Sequence, residues 1–225
     1  MTRESGEKFS AAILAGGSSS RMGVEKGLVN LAGKPMILYV IEACKVLTDN
    51  VFVVACSDNV KAYSERLAGV VEVVQDVDVG FKSPLVGAYT AFLHRRRGYV
   101  FLLPCDAPLV KPIVLSFLGS LADRWDAVIP RWPNGYIEPL VAVYNASKAL
   151  HSAGKAIEEG RRDMMALVER IKALYVSTLV IRELDPELET FFNVNTPDDL
   201  RSAESRIMKK RENRGEEVKV GFGGH

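Results

Sequence analysis

FSAAILAGGSSSRMGVEKGLVNLAGKP, residues 9–35, passes from a short apolar run into a segment rich in glycine and serine and then toward a helix. Phe9 to Leu14 carries no charge, which suits a strand covered on both faces. Gly16 and Gly17 allow a sharp turn and let backbone amides approach a ligand closely. Ser18, Ser19 and Ser20 add donors without bulk, and consecutive N–H groups in such a turn form an anion-binding concavity. Arg21 and Lys26 bring two cations to the same segment, so the whole suits a polyphosphate whose charge grows as a bond breaks. Neither the G-x-x-x-x-G-K-[ST] nor the G-x-G-x-x-G spacing is present, because Met22 rather than glycine stands five places after Gly17. A merely flexible turn between strand and helix is the alternative; two cations and a further glycine, Gly23, argue against it.

Outward from this stretch, short apolar runs alternate with amphipathic segments. Strands are expected at Val51 to Ala55, Val70 to Val74, Tyr99 to Leu103 and Asp126 to Ile129. Helices are expected at Pro35 to Val46, Pro84 to His94 and Lys111 to Leu121, each with proline at or next to its start. Alternation of this kind predicts an α/β protein with a doubly wound, mostly parallel sheet between helical layers, a three-layer sandwich. Asn134 to Tyr144 contains Gly135 and Pro139 and then alternating VAVY, which suits one added antiparallel strand. Helices at Ala146 to Glu158 and Arg161 to Ile171, a strand at Leu174 to Ile181 and a last helix from about Pro197 complete the expectation.

The chain has 225 residues, which at roughly 100–200 residues per domain gives a single domain, residues 1–208, followed by a charged, glycine-rich and disordered tail at 209–225. Hydrophobic residues at 48% and charged residues at 25% are the mix of a soluble protein with a real core. A net charge of +1 gives no global attraction for nucleic acid or an anionic membrane, and neither is expected as a partner. No apolar run approaches the ~20 residues that span a bilayer, and the N-terminus lacks a secretory pattern. Cys44, Cys56 and Cys105 are odd in number and far apart, which excludes a disulfide framework and fits the cytoplasm.

Asp106 in PCDAPLV follows the run YVFLLP, at the carboxyl end of a strand, where open α/β sheets place ligands. A carboxylate there can hold Mg²⁺ together with phosphate oxygens, although strand-end aspartates also cap helices and Pro112 opens one nearby. Asn193 and Asn195 in FFNVNTPDDL are two apart, so on an extended segment both face one way; Asn195 or Thr196 before Pro197 also suits a helix cap. His94, beside Arg95 to Arg97, is explained by a helix end, and no Ser–His–Asp or Cys–His set can be assembled.

The motif LAGG-x-x-x-RMG-x-[DE]-K-x-L followed by L-x-GKP resembles the signature of the sugar-phosphate and cofactor nucleotidyltransferases, and among them the molybdenum cofactor guanylyltransferases. The resemblance runs from about Ala11 to Leu200. It implies a Rossmann-like domain in which Leu14, Ala15, Gly16 and Gly17 contact the nucleotide, Lys26 holds its phosphates and Arg21 stabilises the triphosphate in the transition state. Glu25 stands where aspartate is usual. Asp106 matches the Mg²⁺ ligand, and Asp76 matches the pocket aspartate that binds GTP, with Asp78 as its competitor. An asparagine expected after the second strand has no clear match in VVACSDN, where Ser57 or Asn59 would stand in. NVNTPDDL resembles a block that supports the metal site or contacts the acceptor phosphate through Asn193 and Asn195. Gly160-Arg161-Arg162 resembles a segment that binds the molybdopterin phosphate, and an arginine pair opening a helix suits a dianion.

The resemblance therefore implies an Mg²⁺-dependent transfer of GMP from GTP to molybdopterin in its molybdenum or tungsten form, with cofactor-accepting apo-enzymes as further partners. Arg21, Lys26 and Asp106 are the expected catalytic residues. Alternatives are a cytidylyltransferase for the same pterin, a guanylyltransferase for cobinamide phosphate, or a non-catalytic GTP-binding adaptor in cofactor delivery.

Overall fold

The computed structural model describes residues 8–16 and 25–213; Gly17, Ser18 to Ser20, Arg21 and residues 214–225 of the tail lie outside the described residues. In chain order the elements are β1 (Phe9–Leu14), β2 (Asn30–Leu31), β3 (Lys34–Pro35), α1 (Met36–Lys45), β4 (Val51–Ala55), α2 (Val60–Arg66) and β5 (Glu72–Gln75). There follow α3 (Pro84–His94), β6 (Tyr99–Pro104), α4 (Pro112–Ser120), β7 (Ala127–Arg131), β8 (Ala142–Asn145) and α5 (Ala146–Glu158). The last are α6 (Met165–Val168), β9 (Ala173–Ser177), α7 (Thr178–Ile181) and α8 (Pro197–Asn213).

Apart from the small β2–β3 hairpin, the strands form one sheet in the order β5-β4-β1-β6-β8-β7-β9. The parallel strands β5, β4, β1 and β6 are joined to the parallel pair β7–β9 by β8, which runs antiparallel to both neighbours. This is the doubly wound α/β sheet with one added antiparallel strand that the alternating pattern predicts. Because β1 is flanked by β4 on one side and β6 on the other, the winding reverses at its carboxyl end and leaves a crevice there.

Strand periodicity separates two cores. Ala11, Ile13 and Ala15 face Ile37, Val40 and Ile41 of α1 and Leu115 and Leu118 of α4, whereas Ala12 faces Ala88, Ala91 and Phe92 of α3. Each large side chain so buried contributes roughly 1.5–3 kcal/mol of transfer free energy, which is what makes the central strands β1, β4 and β6 largely apolar. A third cluster matters for the site: Leu31 and Met36 of the hairpin region meet Leu109, Val194 and, from α8, Ala203 and Ile207. The hairpin turns at Ala32 and Gly33, whose φ angles of 47° and 95° are both positive, the geometry that a two-residue turn between twisted strands requires.

Several boundaries differ from the sequence expectation. The helix expected over Arg161 to Ile171 contracts to α6, because α5 ends in a Schellman stop: Gly160 has φ 75°, its N–H donates to the Ile157 carbonyl, and the Arg161 N–H donates to that of Ala156. The strand expected over Leu174 to Ile181 ends at Ser177, whose hydroxyl accepts from the Leu179 N–H and starts α7. Between β4 and β5, where the residue pattern singles out no helix, α2 completes the alternation, and β5 starts at Glu72 rather than Val70. At the other end α8 continues to Asn213, so the tail boundary drawn at 208 falls inside a helix. Among the described residues no helix is long and apolar enough to cross a membrane.

Candidate active site

The crevice at the carboxyl ends of β1 and β6 has a volume of about 670 Å³, and its lining includes Leu14, Ala15, Gly16, Lys26, Asp76, Asp106 and Asn195. Three segments distant in sequence meet there. Lys26 begins a single helical turn, Lys26–Leu28, just after the glycine–serine segment. Its ammonium forms an ion pair with Oδ2 of Asp106 and donates to Oδ1 of Asn195 at 2.7 Å. Asp106 follows β6, and its position is set by the backbone: the Cys105 N–H donates to the Leu14 carbonyl at 3.1 Å, and the Val194 N–H donates to the Asp106 carbonyl at 2.9 Å. Both groups of the ion pair remain partly exposed, at 28% for Lys26 and 16% for Asp106, so a ligand in the crevice can reach them.

Asp76 forms the opposite wall. Its backbone N–H continues the ladder to the Ala55 carbonyl at 2.8 Å, and its Oδ1 is buried without a hydrogen-bond partner. Burial pushes its carboxyl above the usual carboxylate range, against the pull of the Thr90 hydroxyl and the Lys82 ammonium. The backbones of Gly16 and Gly87 press against it; a Cβ on Gly16 would lie 3.2 Å from Oδ2 and one on Gly87 3.7 Å from Oδ1. A buried acceptor of this kind suits the N–H groups of a heterocyclic base. Asp78, the competing acid, is exposed and accepts from the N–H of Gly80 at 2.9 Å.

The acceptor-side residues divide. Asn195 lines the crevice, whereas Asn193 is exposed and is not part of the lining. The two amides do not act as a pair because residues 192–195 belong to no strand, and no ladder enforces the pleat. The segment instead prepares α8: Thr196 Oγ1 accepts from the Asp199 N–H at 3.1 Å, and Asp199 Oδ2 accepts from the N–H groups of Asn195 and Thr196 at 2.9 and 2.8 Å. These donors, that of Asn195 first, hold the Asp199 carboxyl below its ordinary range. Arg161 and Arg162 do not open a helix. Arg161 pairs with Asp163 at 3.2 Å, and the Arg162 guanidinium lies 4.7 Å from the centroid of the Phe81 ring, outside the crevice lining.

Other residues that local patterns do not disclose hold the site together. Lys111, five places beyond Asp106, is bound at 2.6 Å to the fully buried Asp185 and at 3.3 Å to Glu189, which also takes Lys210 of α8 at 2.6 Å. Burial raises the pKa of both acids, but Lys111 and the Thr190 N–H hold Asp185 below the usual range, and Lys210 with Lys111 does the same for Glu189. The network ties the Asp106 segment to the last helix. Lys111 lies 74 to 99 residues before the other members, so no sequence window contains the signal.

Among the described residues no group of three or more His, Cys, Asp and Glu side chains could cage a metal. Asp106 offers a single carboxylate, one oxygen of which is engaged by Lys26. Such a donor set fits Mg²⁺, which takes one or two protein carboxylates and completes its shell with phosphate oxygens and water. A second cavity, of about 720 Å³, lies beside Arg131, Tyr136, Met164, Met165 and Tyr175; no carboxylate lines it.

A crevice at the reversal point of a doubly wound sheet, with a lysine, a strand-end aspartate and a buried acceptor, defines the class: an α/β protein that binds its ligand at a topological switch point. The chain belongs to the MobA-like NTP transferase domain family, whose model matches residues 11–174. It is 35% identical, over 89% of its length and 92% of the relative's, to a protein of Methanosarcina mazei named "Probable molybdenum cofactor guanylyltransferase". A protein of Desulfosudis oleivorans named "Molybdenum cofactor guanylyltransferase" is 30% identical over 88% of this chain and 96% of its own. The crystal structure of molybdopterin-guanine dinucleotide biosynthesis protein A from Archaeoglobus fulgidus superposes with a TM-score of 0.75 at 33% identity, covering 89% of this chain and 99% of that one.

Proposed function

We propose that this protein transfers GMP from GTP to the terminal phosphate of molybdopterin carrying molybdenum or tungsten, releasing pyrophosphate and forming the guanine dinucleotide form of the cofactor. The relatives' names supply the substrate pair. The observation that carries the reading to this chain is the convergence of Lys26, Asp106 and Asn195 beside Gly16.

An acceptor phosphate oxygen attacks the α-phosphorus of GTP. The new P–O bond forms as the bond to the bridging oxygen breaks, and that electron pair leaves with pyrophosphate. An ionised phosphate is already nucleophilic, so the protein needs no general base, and catalysis consists of positioning and charge neutralisation. The backbone of Leu14, Ala15 and Gly16 receives the nucleotide, and Asp76 accepts from the N–H donors of guanine. Lys26 neutralises the triphosphate, and the motif residues Gly17 and Arg21 join it from the same segment. Asp106 would hold Mg²⁺, which supplies charge neutralisation on the phosphate oxygens when bound. Asn195 restrains Lys26, while Asn193 and Arg162, which lie outside the crevice lining, would meet the acceptor. Cys44, Cys56 and Cys105 are buried free thiols, which suits a reducing cytoplasm, where a cofactor-accepting apo-enzyme would take the product.

The test is a product assay with metal-loaded molybdopterin, Mg²⁺ and each of GTP, CTP and ATP. The proposal expects pyrophosphate and the guanine dinucleotide from GTP alone. Turnover of CTP in its place makes the protein a cytidylyltransferase, transfer to cobinamide phosphate alone changes the acceptor, and tight GTP binding without any product marks a delivery adaptor.

A further inference from the structure

Lys26 is flanked by two residues that helix α2 grips from the side. Asn59 stands at the N-terminal cap position of α2, yet its side chain makes no capping bond to its own helix. It is buried, at 2% exposure, and reaches across instead: Nδ2 donates to the Ala15 carbonyl and to Oε2 of Glu25, each at 2.8 Å, while Oδ1 accepts from the Cys56 thiol at 3.3 Å. Four residues on, the hydroxyl of Tyr63, at 1% exposure, accepts from the Gly27 N–H at 3.1 Å. Positions four apart share one face of a helix, so a single face of α2 holds both peptide neighbours of Lys26. The fit around Gly27 is close, since a Cβ there would lie 2.8 Å from the Tyr63 oxygen and 3.1 Å from Cys105 Cβ.

The same amide joins two points that lie ten residues apart in the chain, the Ala15 carbonyl just beyond β1 and the Glu25 carboxylate just before Lys26. A side chain with every amide proton committed in a buried setting is a rigid connector, because rotating it would strand donors and acceptors without partners.

We infer that Asn59 and Tyr63 are positioning residues: they hold Glu25 and Gly27, the two neighbours of Lys26, and so fix Lys26 against Asp106. The inference rests on the reading of Lys26 as the phosphate-binding group. It also assigns Asn59 a role other than nucleotide contact, since neither Asn59 nor Ser57 lines the crevice.

The test uses the full-length protein and a readout that needs no nucleotide. Amine acylation of each lysine is followed by mass spectrometry in the wild type, Tyr63→Phe, Asn59→Asp and the exchange Asn59→Asp with Glu25→Gln. In the wild type Lys26 is held by Asp106 and Asn195 and reacts slowly. Tyr63→Phe and Asn59→Asp should each raise the Lys26 rate about tenfold, in line with coupling inside one hydrogen-bond network, while Lys111 and Lys210 keep their rates. The exchange restores the bond between positions 25 and 59 with donor and acceptor reversed but leaves the Ala15 carbonyl without its donor, so it should bring Lys26 part of the way back to the wild-type rate. GTP affinity should fall about tenfold in Tyr63→Phe but change less than about twofold when the same substitution is added to Lys26→Ala. An unchanged Lys26 rate in both single variants, or a rise shared by all lysines, overturns the inference, the latter by marking α2 as general scaffold. So does an equal loss of GTP affinity in the presence and absence of Lys26.

Discussion

The crevice end of the sheet and the Gly160–Asp163 segment both carry cations that suit phosphate, but they hold them differently. Lys26 is paired with Asp106, 80 residues away, and with Asn195, 169 residues away, and its neighbours are fastened by α2. Arg161 pairs with Asp163 two residues on, and Arg162 packs against an aromatic ring on an exposed surface. The first arrangement is in place before any ligand arrives, so binding there loses little conformational freedom. In the second, a ligand would have to draw exposed side chains away from short-range surface partners. Under the proposed function, the nucleotide end would be preorganised and the acceptor end adaptable.

That contrast can be broken at its strong side first. Lys26→Ala removes the preorganised cation, and kcat should fall about 10²–10³-fold, the scale of losing one aligned group at developing charge; steady-state kinetics with saturating GTP measures it. Next, Asp185→Asn unfastens the Asp106 segment from α8. It should lower unfolding free energy by about 3 kcal/mol, the low end for removing one partner of a buried pair, since Lys111 remains 26% exposed. The sign with pH follows from the direction of the shift. The Asp185 carboxyl lies below its unfolded value of 3.8, so its stabilisation is complete above that value and is lost as pH falls through the folded one. Urea titrations between pH 7 and pH 2.5 should show a steeper acid decline in the wild type than in Asp185→Asn.

Asp76 works in the other direction. Its carboxyl titrates above the unfolded value of 3.8, so the proton it holds stabilises the fold below that pH, and the ionised form is a liability at neutrality. Asp76→Asn should therefore raise Tm by a few degrees at pH 7 while weakening GTP binding about tenfold, a trade of stability for recognition seen together in calorimetry and thermal melts. The smallest effect belongs to the adaptable side. Arg162→Ala should raise KM for molybdopterin less than about fivefold and leave KM for GTP and kcat near wild type. A larger effect on kcat would erase the contrast.

How much of this was legible in the sequence depended on whether the cause was local. Strands β1, β4 and β6 show as largely apolar runs because they are covered on both faces, whereas the edge strand β5 keeps Glu72 and Gln75 exposed. Ser83 before Pro84 gives α3 its cap, with the Ser83 hydroxyl accepting from Val86, and that start is readable from the residue types. Asp106 and Asp76 could be placed at strand ends for the same reason. Gly160, by contrast, reads equally well as the start of one helix or the end of another, and only the bond from Arg161 to Ala156 decides for the end. Helix α2 was hidden because its sequence, VKAYSER, buries Tyr63 alone and so lacks an apolar stripe. Lys111 looks like an ordinary surface lysine and Asn59 like a stand-in for a nucleotide contact, and their partners become apparent once the sheet brings distant segments together.

Crystals grown with GTP and magnesium bear most directly on the central claim. The account predicts the triphosphate between Gly16, Lys26 and Asp106 with the base edge against Asp76. Nucleotide found instead in the cavity beside Arg131 and Tyr175, with the Lys26–Asp106 pair undisturbed, would contradict it.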